Sequence, residues 1–153
     1  SEMCIRDRPE SWMELLRKFG GEYGAATGRP RRVGPFDAVA SRYGLKCQNA
    51  DKIALTKLDV LSMMKEIPVI VGYKKGNQEV TDFDPVEDLE EYAPIVRMLP
   101  GWQTDISGCK TYDELPDAAK TYVETLEDLL QHEIQFISVG AERSQYLTKG
   151  EWL

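Results

Sequence analysis

Cysteine is scarce in this 153-residue sequence, and the three present, Cys4, Cys47 and Cys109, stand too far apart to form a C-x-x-C unit. That spacing excludes a paired-cysteine zinc site and a thioredoxin-like redox centre, and an odd count suits a reduced, cytosolic compartment. Long apolar runs are missing too: nothing approaches the ~18 to 20 continuous apolar residues of a membrane span, and no basic-then-apolar leader opens the chain. The expectation is a cytoplasmic protein with no membrane partner. Histidine occurs once, at His132, without the second histidine or cysteine that a metal set or a catalytic pair requires, so a surface or helix-capping role is expected. The acidic run Asp82, Asp84, Glu87, Asp88, Glu90 and Glu91 lacks the D-x-D-x-D-G spacing of a calcium loop and reads as a solvated face. No metal site is expected in this chain. A G-x-x-x-x-G-K-[ST] phosphate loop is absent, and no aromatic stripe offers a stacking platform. With a net charge of -7, nucleic acid is not an expected partner.

What is present fits one ordinary globular domain, with 42% apolar and 29% charged residues. A chain of this length buries roughly 68 to 70% of its unfolded surface, enough for a core without covalent staples. Charge is unevenly spread: residues 1–52 hold ten Lys/Arg against seven Asp/Glu, and the remainder holds nine against nineteen. An anionic ligand is therefore expected near the front. Periodicity predicts a helix from Phe36 to about Cys47, a buried strand at Lys52–Thr56, and a hairpin of Ile67–Tyr73 and Gln78–Thr81 turning at Lys75–Asn77. It further predicts a strand at Ala93–Met98, a helix with Leu115, Ala119, Tyr122, Leu126 and Leu129 on one face, and a strand at Ile134–Val139. Strands alternating with helices argue for an α/β fold with an added hairpin. The opening Ser1–Arg8 stretch has no periodicity joining it to the rest of the chain and is expected to be a leader foreign to the natural protein.

Three strings carry chemistry. Gly20-Gly-Glu-Tyr-Gly-Ala-Ala-Thr-Gly-Arg-Pro-Arg-Arg32 combines glycines that let the backbone approach a ligand with the planar, permanently charged donors of Arg29, Arg31 and Arg32. It reads as an anion-binding loop, or as a flexible solvated turn. Thr56-Lys57-Leu58-Asp59 follows a buried strand, where open α/β sheets collect ligands, and reads as a ligand-facing corner or as a solvated Lys and Asp beside a strand. A carboxylate there can accept from both the ring N–H and the exocyclic amine of guanine while the lysine stem lies along the flat base. Adenine presents an acceptor where guanine presents the ring donor, and such mismatches can cost on the order of 10⁴-fold. Ser138-Val139-Gly140, at another strand end, could meet a base edge or could be a plain strand exit.

The order and spacing of these strings resemble the C-terminal third of the adenylosuccinate synthetase family, which joins aspartate to inosine monophosphate with hydrolysis of GTP. The resemblance runs from about Gly20 to Tyr146, on G-E-Y-G-A-A-T-G-R-P-R-R, A-L-T-K-L-D-V-L, the L-P-G-W of Leu99 to Trp102, and I-S-V-G. It implies that residues 9–153 are the C-terminal region of such an enzyme: part of a P-loop NTPase-like α/β fold with a mostly parallel central sheet, acting as a homodimer. By position, the loop of Ala25, Ala26, Thr27, Gly28, Arg29, Pro30 and Arg31 would close over aspartate, with Arg29 also touching inosine monophosphate. Arg31 would reach the GTP phosphates. Lys57, Leu58 and Asp59 would read guanine from one side, and Ser138, Val139 and Gly140 from the other.

Some positions depart from the family pattern. Ala26 stands where a threonine is usual, removing one hydroxyl from the aspartate site; Pro35 replaces a tryptophan, and Ala141-Glu142 replaces Pro-Asp before Arg143. More is missing than changed. The family's phosphate loop, its Mg2+ ligands, its aspartate base and its histidine acid lie in the N-terminal part, so no catalytic residue is expected in this chain. A competing reading is a non-catalytic guanine-nucleotide or polyanion-binding module; a third is an interaction domain whose arginine loop docks acidic partners.

Overall fold

The computed structural model describes residues 11–82 and 89–150. The expected leader at 1–8 and the acidic positions 84, 87 and 88 lie outside them. Ten regular elements run in chain order: α1 (Ser11–Gly20), β1 (Phe36–Asp37), α2 (Ala38–Gln48), β2 (Ile53–Leu55), β3 (Glu66–Lys75), β4 (Gln78–Val80), β5 (Ala93–Pro100), α3 (Asp117–Leu130), β6 (Ile134–Ser138) and β7 (Tyr146–Thr148). Short 3-10 turns lie at Leu58–Leu61, Leu89–Glu91 and Tyr112–Glu114.

The apolar run of β3 is the hub of a four-stranded sheet. One edge pairs antiparallel with β5 from Glu66↔Pro100 to Lys74↔Ala93, with a bulge between Ile70 and Gly72. The opposite edge is shared by β1, parallel at Phe36↔Val69, and by β4, which returns through a tight turn. Gly76 sits in that turn at φ +58°, a left-handed conformation that glycine adopts without strain. The second sheet sets β2 parallel to β6 and β7 antiparallel to β6. The described strands therefore form two mixed sheets, not the mostly parallel sheet expected, because β4 and β5 both lie antiparallel to the hub strand.

Phe36 and Asp37 belong to β1 and not to the helix that their spacing predicts. Asp37 instead caps α2: its carboxylate accepts from the Ala40 N–H at 2.9 Å and from the Tyr73 hydroxyl. Asn49 closes that helix in the left-handed conformation. α3 buries Ala119, Tyr122, Val123, Leu126 and Leu130, with Leu129 half-buried beside them, whereas Leu115, expected on the same helical stripe, is buried ahead of the helix at the end of the 3-10 turn. Its approach is organised by a capping box in which Glu114 accepts from the Thr111 N–H at 3.0 Å. Ala119, Tyr122, Val123 and Leu126 share one core with Ile67, Val69, Leu99, Trp102, Ile134, Ile137, Val139 and Leu147. Each such side chain contributes roughly 1.5 to 3 kcal/mol by leaving water. Periodicity does not predict α1 or β7: the first is amphipathic but short, and the second has three residues.

Candidate functional site

The arginine string folds into a small closed loop. Arg31 N–H donates to the Glu22 carbonyl at 2.9 Å, Gly24 N–H to Arg29 at 2.8 Å, and Gly28 N–H to Gly24 at 2.8 Å. Gly28 is left-handed at φ +64°, and a side chain on Gly24 would come within 2.8 Å of Thr27 Oγ1. Both glycines thus serve the turn itself. Helix α1 holds the loop's base: Glu22 N–H donates to the Arg17 carbonyl at 2.9 Å, and Arg17 Nε returns a bond to the Arg31 carbonyl at 2.9 Å. Residues 25–32 are exposed. The Arg29 guanidinium has no hydrogen bond or ion pair among the described residues.

The Thr-Lys-Leu-Asp corner leaves β2 abruptly. Lys57 adopts φ +60°, ψ 36°, a left-handed conformation that costs a residue with a Cβ about 1 to 2 kcal/mol. Leu58, fully buried, pins the corner to the core, while Asp59 beside it is half-buried and carries no side-chain hydrogen bond or ion pair among the described residues. A second anchor comes from the L-P-G-W string. Trp102, buried against Tyr122, donates from Nε1 to Ser62 Oγ at 3.1 Å, just beyond the corner's 3-10 turn. Gly101 is required there by contact: a Cβ would fall 1.7 Å from the Met64 carbonyl oxygen. This string braces the corner from the core side.

The register of the second sheet explains why distant strings meet. β2 and β6 are parallel with Leu55 opposite Ile137, so their carboxyl ends emerge side by side. Lys57 N–H then points at Ser138 Oγ, 3.5 Å away, and that hydroxyl lies 3.4 Å from the Gly140 carbonyl. Gly140 is crowded by Gln145, whose amide side chain takes the Glu142 N–H at 2.9 Å and donates to the Ser107 carbonyl at 3.3 Å. The Ala141-Glu142 departure lies in this exit turn.

One side chain ties the arginine loop to the corner, and sequence reasoning assigns it no role. Glu22 Oε2 accepts from Arg31 at 3.2 Å, while Oε1 pairs with Lys57 Nζ, which also donates to the Gly20 carbonyl at 3.1 Å. Its carboxyl titrates below the usual glutamate range, first because of the Lys57 hydrogen bond and then because of Arg31. A signal exists in the sequence, since Glu22 is the only acid inside the Gly20–Arg32 string. The three strings therefore converge on Lys57, through Glu22 on one side and Ser138 on the other.

Elsewhere, a concavity of ≈ 590 Å³ lies beyond the end of α3, lined by Glu124, Glu127, Asp128, Gln131, His132, Glu133 and Lys149. It contains none of the converging residues. His132 sits there with Nδ1 2.9 Å from the Leu130 carbonyl, the helix-end position expected for it. Among the described residues no three His, Cys, Asp or Glu side chains could hold a metal ion, and no helix is long and apolar enough to cross a membrane. Cys47 and Cys109 are free thiols, and burial raises the pKa of Cys109.

Comparison with known proteins places the chain in a family. The family profile described as adenylosuccinate synthetase matches residues 5–147. The adenylosuccinate synthetase of Trichlorobacter lovleyi is 47% identical over 133 residues, covering 86% of this chain and 31% of that protein. The synthetase of Thermomicrobium roseum is 46% identical over 137 residues, covering 88% and 31%. Among solved structures, the fully ligated adenylosuccinate synthetase of Plasmodium falciparum superposes with a TM-score of 0.83 at 41% identity, covering 92% of this chain and 34% of that one. The chain thus spans about a third of the length of the relatives it matches. A profile match over most of its length, carried on a fold that superposes this well, shows that the chain belongs to the adenylosuccinate synthetase family.

Proposed function

We propose that this chain is the C-terminal region of an adenylosuccinate synthetase, supplying the aspartate loop and the guanine pocket of a GTP-dependent carbon–nitrogen ligase. The complete enzyme condenses inosine monophosphate with L-aspartate in AMP biosynthesis. GTP phosphorylates inosine monophosphate, the aspartate amine displaces that phosphate, and adenylosuccinate, GDP and phosphate are released. Catalysis of this kind rests on positioning and charge neutralisation, and those are the tasks the residues here suit. Arg29, exposed and unpaired among the described residues, is free to grip the aspartate carboxylates and inosine monophosphate, with Thr27 beside it. Arg31 faces the GTP phosphates, Lys57 and Asp59 read guanine, and Ser138–Gly140 line the other side of the base.

The phosphate loop, the aspartate base and the histidine acid belong, on this reading, to the remainder of the polypeptide, and the working enzyme is a cytoplasmic homodimer. The described residues do not fit Mg2+, which needs oxygen ligands that converge. Its site is assigned to that remainder as well, and no step here runs through it.

The observation that carries the proposal is the convergence on Lys57, with the Asp59 carboxylate left unpaired among the described residues next to it. A resonance-resolved NMR titration of the chain tests it. GTP should shift signals of Lys57, Asp59 and Ser138–Gly140 while ATP leaves them in place, and Asp59→Asn should transfer the response to a xanthine nucleotide, whose ring carbonyl can accept from the new amide. Equal responses to GTP and ATP, or shifts confined to other surfaces, would refute the guanine assignment.

A further inference from the structure

Glu22 is the feature that the functional reading leaves unused. Four permanent or near-permanent cations, Arg29, Arg31, Arg32 and Lys57, occupy the loop and the corner, and a single carboxylate from the loop itself takes two of them, one on each oxygen. That carboxylate is well held. The Glu22 N–H is bonded to the Arg17 carbonyl, its carbonyl accepts from Arg31, and its side chain is only 22% exposed against 53% for Lys57 and 58% for Arg31. The Lys57 ammonium is engaged by Glu22 and the Gly20 carbonyl, and the acid two positions along the chain, Asp59, has no side-chain hydrogen bond or ion pair among the described residues. Were Lys57 to neutralise Asp59, that carboxylate could no longer accept both guanine donors at full strength.

We propose that Glu22 is a positioning residue that straps the arginine loop to the Thr56–Asp59 corner and, by engaging Lys57, leaves Asp59 free to select guanine. The nucleotide half of this rests on the functional reading above; the strap stands on geometry alone. The depressed titration of Glu22 agrees with a carboxylate stabilised by both partners.

Hydrogen exchange and nucleotide binding separate the two halves. The amides of Gly24 and Arg31 close the loop and report its opening. An exposed ion-pair strap is screened as the Debye length falls to about 3 Å at 1 M salt, so exchange at these amides should quicken by about threefold between low and high salt. In Glu22→Gln, which preserves size and removes charge, exchange should be fast at every salt concentration. The same variant should bind GTP about threefold more weakly with no change toward ATP, an effect that simple loss of packing does not produce. Salt-independent exchange in the native chain, or a Glu22→Gln loop as protected as the native one, overturns the strap. A native chain that shows the salt effect but never responds to GTP overturns the guanine assignment and retains the strap.

Discussion

Arg29 and Gly101 mark the two extremes of how a single residue serves the proposed site. Arg29 projects from an exposed loop with its guanidinium unengaged among the described residues, so its removal costs the fold almost nothing. Gly101 has the Met64 carbonyl within 1.7 Å of where a side chain would begin, so its identity is dictated by backbone contact. Arg29→Leu is accordingly expected to leave stability within about 0.5 kcal/mol, read as a near-unchanged Tm, while abolishing the response of the chain in an NMR titration with inosine monophosphate. A large drop in Tm would assign the arginine to the fold instead. The Arg29 reading is legible in the sequence because cations clustered between glycines have few structural uses. The role of Glu22 is not, because an acid among arginines is an ordinary surface pairing until its second partner, Lys57, arrives from 35 residues away.

Among the elements, the parallel pair β2 and β6 does the decisive positioning, since it brings the carboxyl ends of two short strands together across 81 residues of sequence. The corner after β2 is then held from behind by the Trp102 indole on Ser62, a buried bond between groups 40 positions apart. Trp102→Phe preserves an aromatic contact to Tyr122 but leaves the Ser62 hydroxyl buried without its donor. The expected cost is about 1 to 3 kcal/mol in chemical denaturation, with a weaker response to GTP as the corner loosens. Unchanged stability would mean that the indole N–H contributes nothing to holding the corner. Helix α3 and the β3–β4 hairpin are readable from spacing and turn residues, because each is specified by local contacts. The start of α2 lies two residues later than its spacing predicts, since Phe36 and Asp37 are drawn into the sheet by a strand met only in three dimensions.

For the whole molecule, the loop and corner are proposed as one wall of a site, and the chain spans about a third of the length of its relatives. The purified 153-residue chain is therefore expected to give no turnover of inosine monophosphate, aspartate and GTP, whereas a chimera with this chain in place of the matching third of the Trichlorobacter lovleyi synthetase should form adenylosuccinate. Turnover by the chain alone, or a folded chimera without activity, would count against the assignment. Read alone, the sequence determined the chemistry on offer: an arginine-rich glycine loop, a Lys-x-Asp corner and a Ser-Val-Gly exit, along with the absence of a phosphate loop. These are properties of residue type and local spacing, which a chain carries in any conformation. Only tertiary structure decided that the three strings share Lys57, that Leu-Pro-Gly-Trp is a brace, and that the described strands form two mixed sheets. Those outcomes depend on strand register and on contacts between residues far apart in the chain, and local periodicity contains no record of either.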